Sequence, residues 1–184
     1  MAHPLIEVLQ RNLVSHEPPQ KGQRFAAVSI IVRDTQFPSV LLIKRAERTG
    51  DPWSGQIAFP GGKMQSGDGT ARDTAIRETL EEVGVDLSRA DFIGYAPTAT
   101  THTGNMEVVP AVFVLKESVQ VRPNEEVSSY RWVDLEDVVA PSSQSTYKLS
   151  YDGNEVELPA FRVDAYVVWG LTHRILSSVL KEPQ

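Results

Sequence analysis

Glu78, Glu81 and Glu82 crowd into the stretch RETLEEVGV at residues 77–85, which ends Gly84-Val85. On a helix, like charges at such spacings repel by a few tenths of a kcal/mol per pair. Carboxylates gathered in this way form a hard-oxygen donor set suited to Mg²⁺ or Mn²⁺, which would cancel the repulsion. The same ion could bridge to a diphosphate, so that negative protein binds negative ligand through the metal. Just upstream lies FPGGKMQSGDG, with five glycines between Gly55 and Gly69. Glycine permits the close backbone approach that phosphate and metal loops use. The competing reading is an ordinary acidic helix face turned to water. Arg77 is the single cation beside the cluster, and it is expected to orient the acids through salt bridges more than to touch a ligand. At 100° per residue, Ile76, Leu80 and Val83 fall within about 60° of one another. They are the expected buried stripe, with the three glutamates on the opposite, wet side.

The helix that must carry these acids is predicted from about residue 70 to 83, with Gly84 able to end it. Before it, FAAVSIIVR (25–33) and VLLIKRA (40–46) read as strands separated by a turn containing Pro38. After it, residues 92–100 and 106–116 are strand-like, and Pro110 predicts an edge position or a bulge in the second. Residues 130–138 predict a strand leading into a short helix. Residues 147–163 predict a hairpin turning at Asp152-Gly153-Asn154. Helices are expected over 4–14 (Leu5, Ile6, Leu9, Leu13) and over 165–180 (Val168, Leu171, Ile175, Leu176). HEPPQKGQ (16–23) reads as a connector, so a segment 1–23 of helix and connector precedes a main domain at 24–184. Strands and helices mix without regular alternation, which predicts an α+β chain or an α/β/α sandwich on a mixed sheet.

The 184 residues suffice for one domain with a substantial core, and 41% hydrophobic with 23% charged residues is ordinary for a globular chain. A net charge of −6 and pI near 5.2 argue against a nucleic-acid binder, which needs a basic face. The chain has no cysteine, so neither a disulfide framework nor a thiolate metal site is available. No signal peptide and no membrane-spanning run is predicted, and the expected location is the cytoplasm.

GGKMQSGDGTARDTAIRETLEEVGV resembles the Nudix box, G-x5-E-x7-R-E-U-x-E-E-x-G-U with U aliphatic. Arg77, Glu78, Glu81, Glu82, Gly84 and Val85 match in register. Thr79 stands where an aliphatic residue is usual, Asp68 where a glutamate is usual, and the box is one residue longer than the standard form. A longer segment, LLIKRAERTGDPWSGQIAFPGGK (41–63), is similar to the one preceding the box in coenzyme A pyrophosphatases of this superfamily. Leu41, Leu42, Arg45, Gly55, Phe59, Pro60, Gly61 and Gly62 agree, and VVWGLTHRIL near the C-terminus resembles that subgroup's ending. Ile43, Ala46 and Asp51 depart, the last lying where a second arginine is common.

The resemblance implies a Nudix-type α/β/α sandwich with a mixed β-sheet. It also implies divalent-metal-dependent hydrolysis of coenzyme A or acyl-coenzyme A to 3′,5′-ADP and 4′-phosphopantetheine or its acyl form. Glu78, Glu81 and Glu82 would ligate Mg²⁺ or Mn²⁺, and with Arg77 form the catalytic set. Gly61 or Gly62 would add a backbone carbonyl. Arg45 and Arg48, with Lys44 nearby, would meet substrate phosphates, which arginine does by bidentate contacts. The base is a box glutamate or one of Glu107, Glu125 and Glu126. Trp53 could stack on a base or pack in its loop; Trp132 and Trp169 are expected in the core; His102 lies in a polar loop. Two other readings stay open: a broader diphosphatase of ADP-ribose, nucleotide sugars, NADH or dNTPs, and a non-catalytic nucleotide-binding module. The expected partner is a small nucleoside diphosphate, with no nucleic acid and no membrane, and self-association into a homodimer is left open.

Overall fold

Phe25–Arg33 forms strand β1, and its side chains are buried on both sides of the sheet. Phe25, Ala27 and Ile31 enter one apolar cluster, while Ile30 and Val32 enter another. Alternation along a strand sends neighbours to opposite faces, so a strand with two buried faces needs a layer on each side. The computed structural model describes residues 3–18, 25–51, 53–102, 105–151 and 153–181.

The main sheet is mixed. β2 (Ser39–Arg45) pairs antiparallel with β1, and β7 (Glu107–Leu115) pairs parallel with it along its whole length. β5 (Asp91–Tyr95) and β6 (Ala99–Thr100) run antiparallel to β7, and β8 (Val127–Asp134) flanks β2. Two short strands, β3 (Ile57–Ala58) and β4 (Gly61–Lys63), hold the glycine loop against β2 and β1. Pro110 lies in the centre of the sheet, not at an edge. Cα pairing with β7 breaks after Tyr95↔Ala111 and resumes at Ala99↔Val108, with two residues of β7 facing three of its partner. The irregularity around Pro110 accommodates a residue without an N–H.

One face of the sheet carries helix α2 (Ala71–Val83), capped by the Thr70 hydroxyl on the Asp73 N–H and ended by Gly84 in the left-handed region at φ 66°. The opposite face carries α1 (Pro4–Arg11), α4 (Gly170–Val179), the short α3 (Leu135–Val139) and part of a three-stranded sheet. That second sheet is β9 (Gln144–Tyr151), β10 (Asn154–Val163) and β11 (Tyr166–Trp169), in the order β11-β10-β9. Ile6 and Leu9 of α1 share the cluster of Ile175, Leu176 and Val179 of α4. The Asn12 side chain donates to the carbonyls of Val8, Val179 and Lys181, tying the end of α1 to the end of α4. The architecture is the expected α+β sandwich on a mixed sheet.

Several boundaries differ from the sequence reading. α1 stops at Arg11, short of the expected 14 and before Leu13, because Asn12 turns out of the helix at φ −92° and ψ 5°. Residues 166–169 are a strand, not helix: Tyr-Val-Val-Trp is β-branched and aromatic, and Gly170 at φ 63° marks the switch into α4. Residues 19–23 of the connector, residue 24, Asp152 of the hairpin turn, and 103–104 beside His102 lie outside the described residues. No described helix is long and apolar enough to cross a membrane.

Candidate active site

The face of α2 that meets the sheet is Ala71, Thr74, Ala75, Thr79, Glu82 and Val83. Leu80, expected in the buried stripe, is 50% exposed, and Glu82, expected in water, is 4% exposed. Polar chemistry on the sheet side reverses the expectation. Ser29 of β1 donates to the Ala75 carbonyl at 3.1 Å and accepts from the Thr79 hydroxyl at 2.7 Å, so a polar residue is satisfied where an aliphatic one would otherwise sit. The small side chains of Ala71 and Ala75 bring α2 close to β1 and turn Leu80 outward. The three glutamates therefore do not share one wet face.

Glu82 Oε2 instead accepts from the Gly61 N–H at 2.9 Å. Glu78 lies over Gly62 so closely that a Cβ there would meet its carboxylate at 2.5 Å. At Gly61 a Cβ would come within 2.3 Å of the Ala27 carbonyl. Both positions demand glycine because strand, loop and helix converge there. Burial pushes the Glu82 carboxyl up to about 7, against the pull of the Gly61 N–H, with Glu78 and Glu126 adding repulsion and Arg45 attraction. Burial also raises Glu78, although its hydrogen bond to Arg77 opposes this.

Arg77 is the hub on the outer side. Its Nε and Nη2 grip Asp68 in a bidentate pair at 3.0 and 2.8 Å, its Nη1 reaches Glu78 at 2.8 Å, and Nη2 also donates to the Lys63 carbonyl. Glu81, its side chain 54% exposed, meets the same Nη1 at 3.3 Å. Asp68, where the box usually has glutamate, accepts further bonds from the Gln65 N–H and the Thr74 hydroxyl. Hydrogen bonds from Arg77 hold its carboxyl well below the usual range despite burial. The guanidinium is correspondingly raised above its ordinary value, first by Asp68.

A third acid approaches from the loop before β8. Arg122 N–H bonds the Val83 carbonyl, Asn124 N–H the Glu82 carbonyl, and the Asn124 side chain the Glu81 carbonyl, satisfying the free end of α2. Glu126 follows, held by Asn124 through its own N–H and by the Ala46 N–H through its carbonyl. Its charge reaches both Glu78 and Glu82. Of the other candidate bases, Glu107 begins β7 in register with Phe25 and Thr100, and Glu125 is an exposed neighbour of Glu126.

The cations expected to meet phosphate are already paired. Arg45 Nη2 bonds Asp51 at 3.1 Å, and Arg48 meets Glu126 at 3.5 Å. Arg45 Nε is buried with no hydrogen-bond partner among the described residues. Asp51 also accepts from the Trp53 backbone N–H, and Trp53 itself is 44% exposed, not packed in its loop. Trp132 lies partly buried beneath the Arg33 guanidinium, and Trp169 stacks on Tyr147.

Among the described residues no three acidic or histidine side chains form a ready-made cage. Glu78 and Glu82 do meet at the Gly61–Gly62 loop, and the charge of Glu126 adds to the negative potential there. Hard oxygens that are buried and under-neutralised fit a divalent cation. Glu81 points to Arg77 instead. Sequence reasoning passed over Asp51 and Asp68 as partners, since separations of six and nine residues carry no local signal. It also passed over Ser29, although a serine inside an apolar strand was a visible cue.

The NUDIX domain model matches residues 23–152. An uncharacterized protein of Schizosaccharomyces pombe is 40% identical over 124 residues, which cover 62% of this chain and 37% of that one. This chain thus spans little more than a third of that relative's length. An uncharacterized Nudix hydrolase, NudL, of Salmonella heidelberg is 32% identical over 169 residues, covering 91% of this chain and 86% of its own. In structure, a MutT/nudix family protein from Enterococcus faecalis aligns with a TM-score of 0.59 at 17% identity, over 97% of this chain and 73% of that one, a likeness of fold.

Proposed function

The chain belongs to the NUDIX domain family, and on that premise we propose that it hydrolyses the diphosphate of coenzyme A or acyl-coenzyme A, with Mg²⁺ or Mn²⁺, to 3′,5′-ADP and 4′-phosphopantetheine or its acyl form. A relative covered nearly end to end is named a Nudix hydrolase, and the resemblance of the box implies hydrolysis of a nucleoside diphosphate derivative. The observation that carries the reading is the meeting of Glu78 and Glu82 at the Gly61–Gly62 loop, beside Arg45.

Glu78 and Glu82 would hold the ion. A divalent ion there would supply charge neutralisation for the diphosphate and would make an attacking water more acidic. Glu82 must give up its proton to ligate, because its buried carboxyl titrates near neutral pH. Arg77 holds Glu78 and Asp68 and sets the direction from which the acids reach the loop. Arg45 lies beside them, with its Nη2 on Asp51 and its buried Nε without a partner among the described residues. Water adds to one phosphorus, the P–O–P bridge breaks, and the proton lost by water passes to a carboxylate, for which Glu126 is the best placed outside the box.

Support for coenzyme A comes from where the similar segments lie. Leu41, Leu42 and Arg45 are on β2, Phe59 to Gly62 form the adjoining loop, and the C-terminal WGLT segment joins them through the Thr172 hydroxyl on the Ile57 carbonyl at 3.0 Å. One observation favours a broader diphosphatase of ADP-ribose, nucleotide sugars, NADH or dNTPs. Asp51 and Glu126 occupy Arg45 and Arg48, leaving neither as a spare cation for the 3′-phosphate of coenzyme A.

A panel assay with coenzyme A, acetyl-coenzyme A, 3′-dephospho-coenzyme A, NADH, ADP-ribose and dNTPs separates the two. Under the first reading coenzyme A is preferred over its dephospho form. Arg45→Ala then lowers its kcat/KM by roughly ten- to a hundredfold, the loss of one charge-assisted contact, while sparing dephospho-coenzyme A. Equal rates on both, or faster cleavage of ADP-ribose, select the broader enzyme.

A further inference from the structure

Between Glu78 and Glu82 stands Thr79, fully buried, with its hydroxyl on Ser29 of β1. Ser29 is also fully buried and makes three connections from one position. Its N–H donates to the Pro60 carbonyl at 2.8 Å, its hydroxyl donates to the Ala75 carbonyl at 3.1 Å, and its Oγ accepts from Thr79 at 2.7 Å. Pro60 precedes Gly61, whose N–H in turn binds Glu82. The glycine loop, the central strand and the glutamate helix are thus joined by a closed set of directional bonds around one serine.

A helix held to a sheet by Ala71, Ala75 and Val83 alone would be free to slide or roll by fractions of an ångström, since apolar contact is non-directional. A threonine inside a helix ordinarily returns its hydroxyl to the carbonyl four residues back, here that of Ala75. In this protein Ser29 takes that carbonyl, and the Thr79 hydroxyl reaches across to the strand instead. The bond therefore fixes rotation of α2 at the residue flanked by the two acids.

We propose that Ser29 and Thr79 are positioning residues that set the spacing of Glu78 and Glu82 over the Gly61–Gly62 loop for a divalent cation. The inference rests on the reading that these two acids hold the ion. Outer partners of metal ligands typically contribute about 10–100-fold to affinity or activity.

Thr79→Val keeps the shape and leaves Ser29 its bond to Ala75; Thr79→Ser keeps the hydroxyl. Mn²⁺ binding is measured by calorimetry or by the loss of free-ion paramagnetic resonance, beside unfolding midpoints in EDTA and turnover of the preferred diphosphate. Thr79→Val is expected to weaken Mn²⁺ binding by about tenfold and to lower kcat with little change in KM. Thr79→Ser should restore both. Ser29→Ala should act in the same direction. Wild-type Mn²⁺ affinity and kcat in folded Thr79→Val would overturn the proposal, as would a loss that Thr79→Ser fails to rescue. A wild type that binds no Mn²⁺ and turns over no diphosphate would overturn the underlying functional reading, and this inference with it.

Discussion

Glu82→Gln should make the metal-free protein more stable while sharply lowering its turnover. In the folded chain the Glu82 carboxyl is buried and titrates near 7, against 4.5 as the ordinary value. A folded-state pKa raised above the unfolded one contributes stability below the unfolded pKa, and that contribution is lost as pH rises through the folded pKa. The window therefore runs from about pH 4.5 to about pH 7. With 1.36 kcal/mol per unit, ionised Glu82 costs the wild type about 3 kcal/mol at pH 8 and under about 1 kcal/mol at pH 5. Glutamine keeps an oxygen for the Gly61 N–H and has no charge to desolvate. Urea unfolding in EDTA should thus show the variant above wild type at pH 8, with the gap mostly closed at pH 5. Adding Mg²⁺ should stabilise wild type by mass action and leave the variant behind. Its kcat should fall by about a hundredfold or more, the scale of one lost electrostatic contact in the transition state. A variant less stable than wild type at pH 8 in EDTA, or a gap that ignores pH, would show that Glu82 is not held as a desolvated acid. Near-normal turnover in the folded variant would remove it from the metal site.

Other perturbations test the surroundings. Leu80→Ala should stay within about 0.5 kcal/mol of wild type because the side chain is half exposed, whereas Leu42→Ala, in the fully buried part of β2, should lose roughly 2–5 kcal/mol; urea midpoints compare them directly, and equal losses would mean that α2 is rotated. Arg77→Ala should cost about 3 kcal/mol by stranding the buried Asp68 carboxylate, and Arg77→Lys should not recover it, since the bidentate grip needs a guanidinium. Asp68 has a depressed folded pKa, so its contribution is present above the unfolded carboxyl value near 4 and is lost as pH falls through the folded one. Asp68→Asn should therefore flatten the acid side of the stability curve below about pH 4, read as unfolding midpoints from pH 5 downward.

The elements that carry the site were legible where local physics is decisive. β1 coincides with its apolar run, and α2 starts at a threonine cap and ends at Gly84, because capping and periodicity are properties of neighbouring residues. The run Tyr166–Trp169 fits a helix as well as a strand, because a short apolar run satisfies both periods, and pairing with β10 across the second sheet decides between them. The box acids, Arg77 and the Gly61–Gly62 loop were recognisable from residue type and spacing alone.

Which way those acids point was another matter. Helical angles computed from apolar residues put Leu80 inside and Glu82 outside, because a sequence ranks side chains by hydrophobicity. The fold ranks them by whether their polar atoms find partners. Thr79 is admitted to the core by Ser29, fifty residues earlier, and Glu82 by the Gly61 N–H. Once they are inside, Leu80 has to be outside. The pairings of Arg45 with Asp51 and of Arg77 with Asp68 follow from loop paths and not from any helical or strand spacing. Residue identity and order carry the family resemblance, the candidate acids and most of the elements that bear them. Tertiary structure alone decided which carboxylates are desolvated and which cations are already paired, because burial and charge compensation depend on distances between residues that the chain's own sequence leaves far apart.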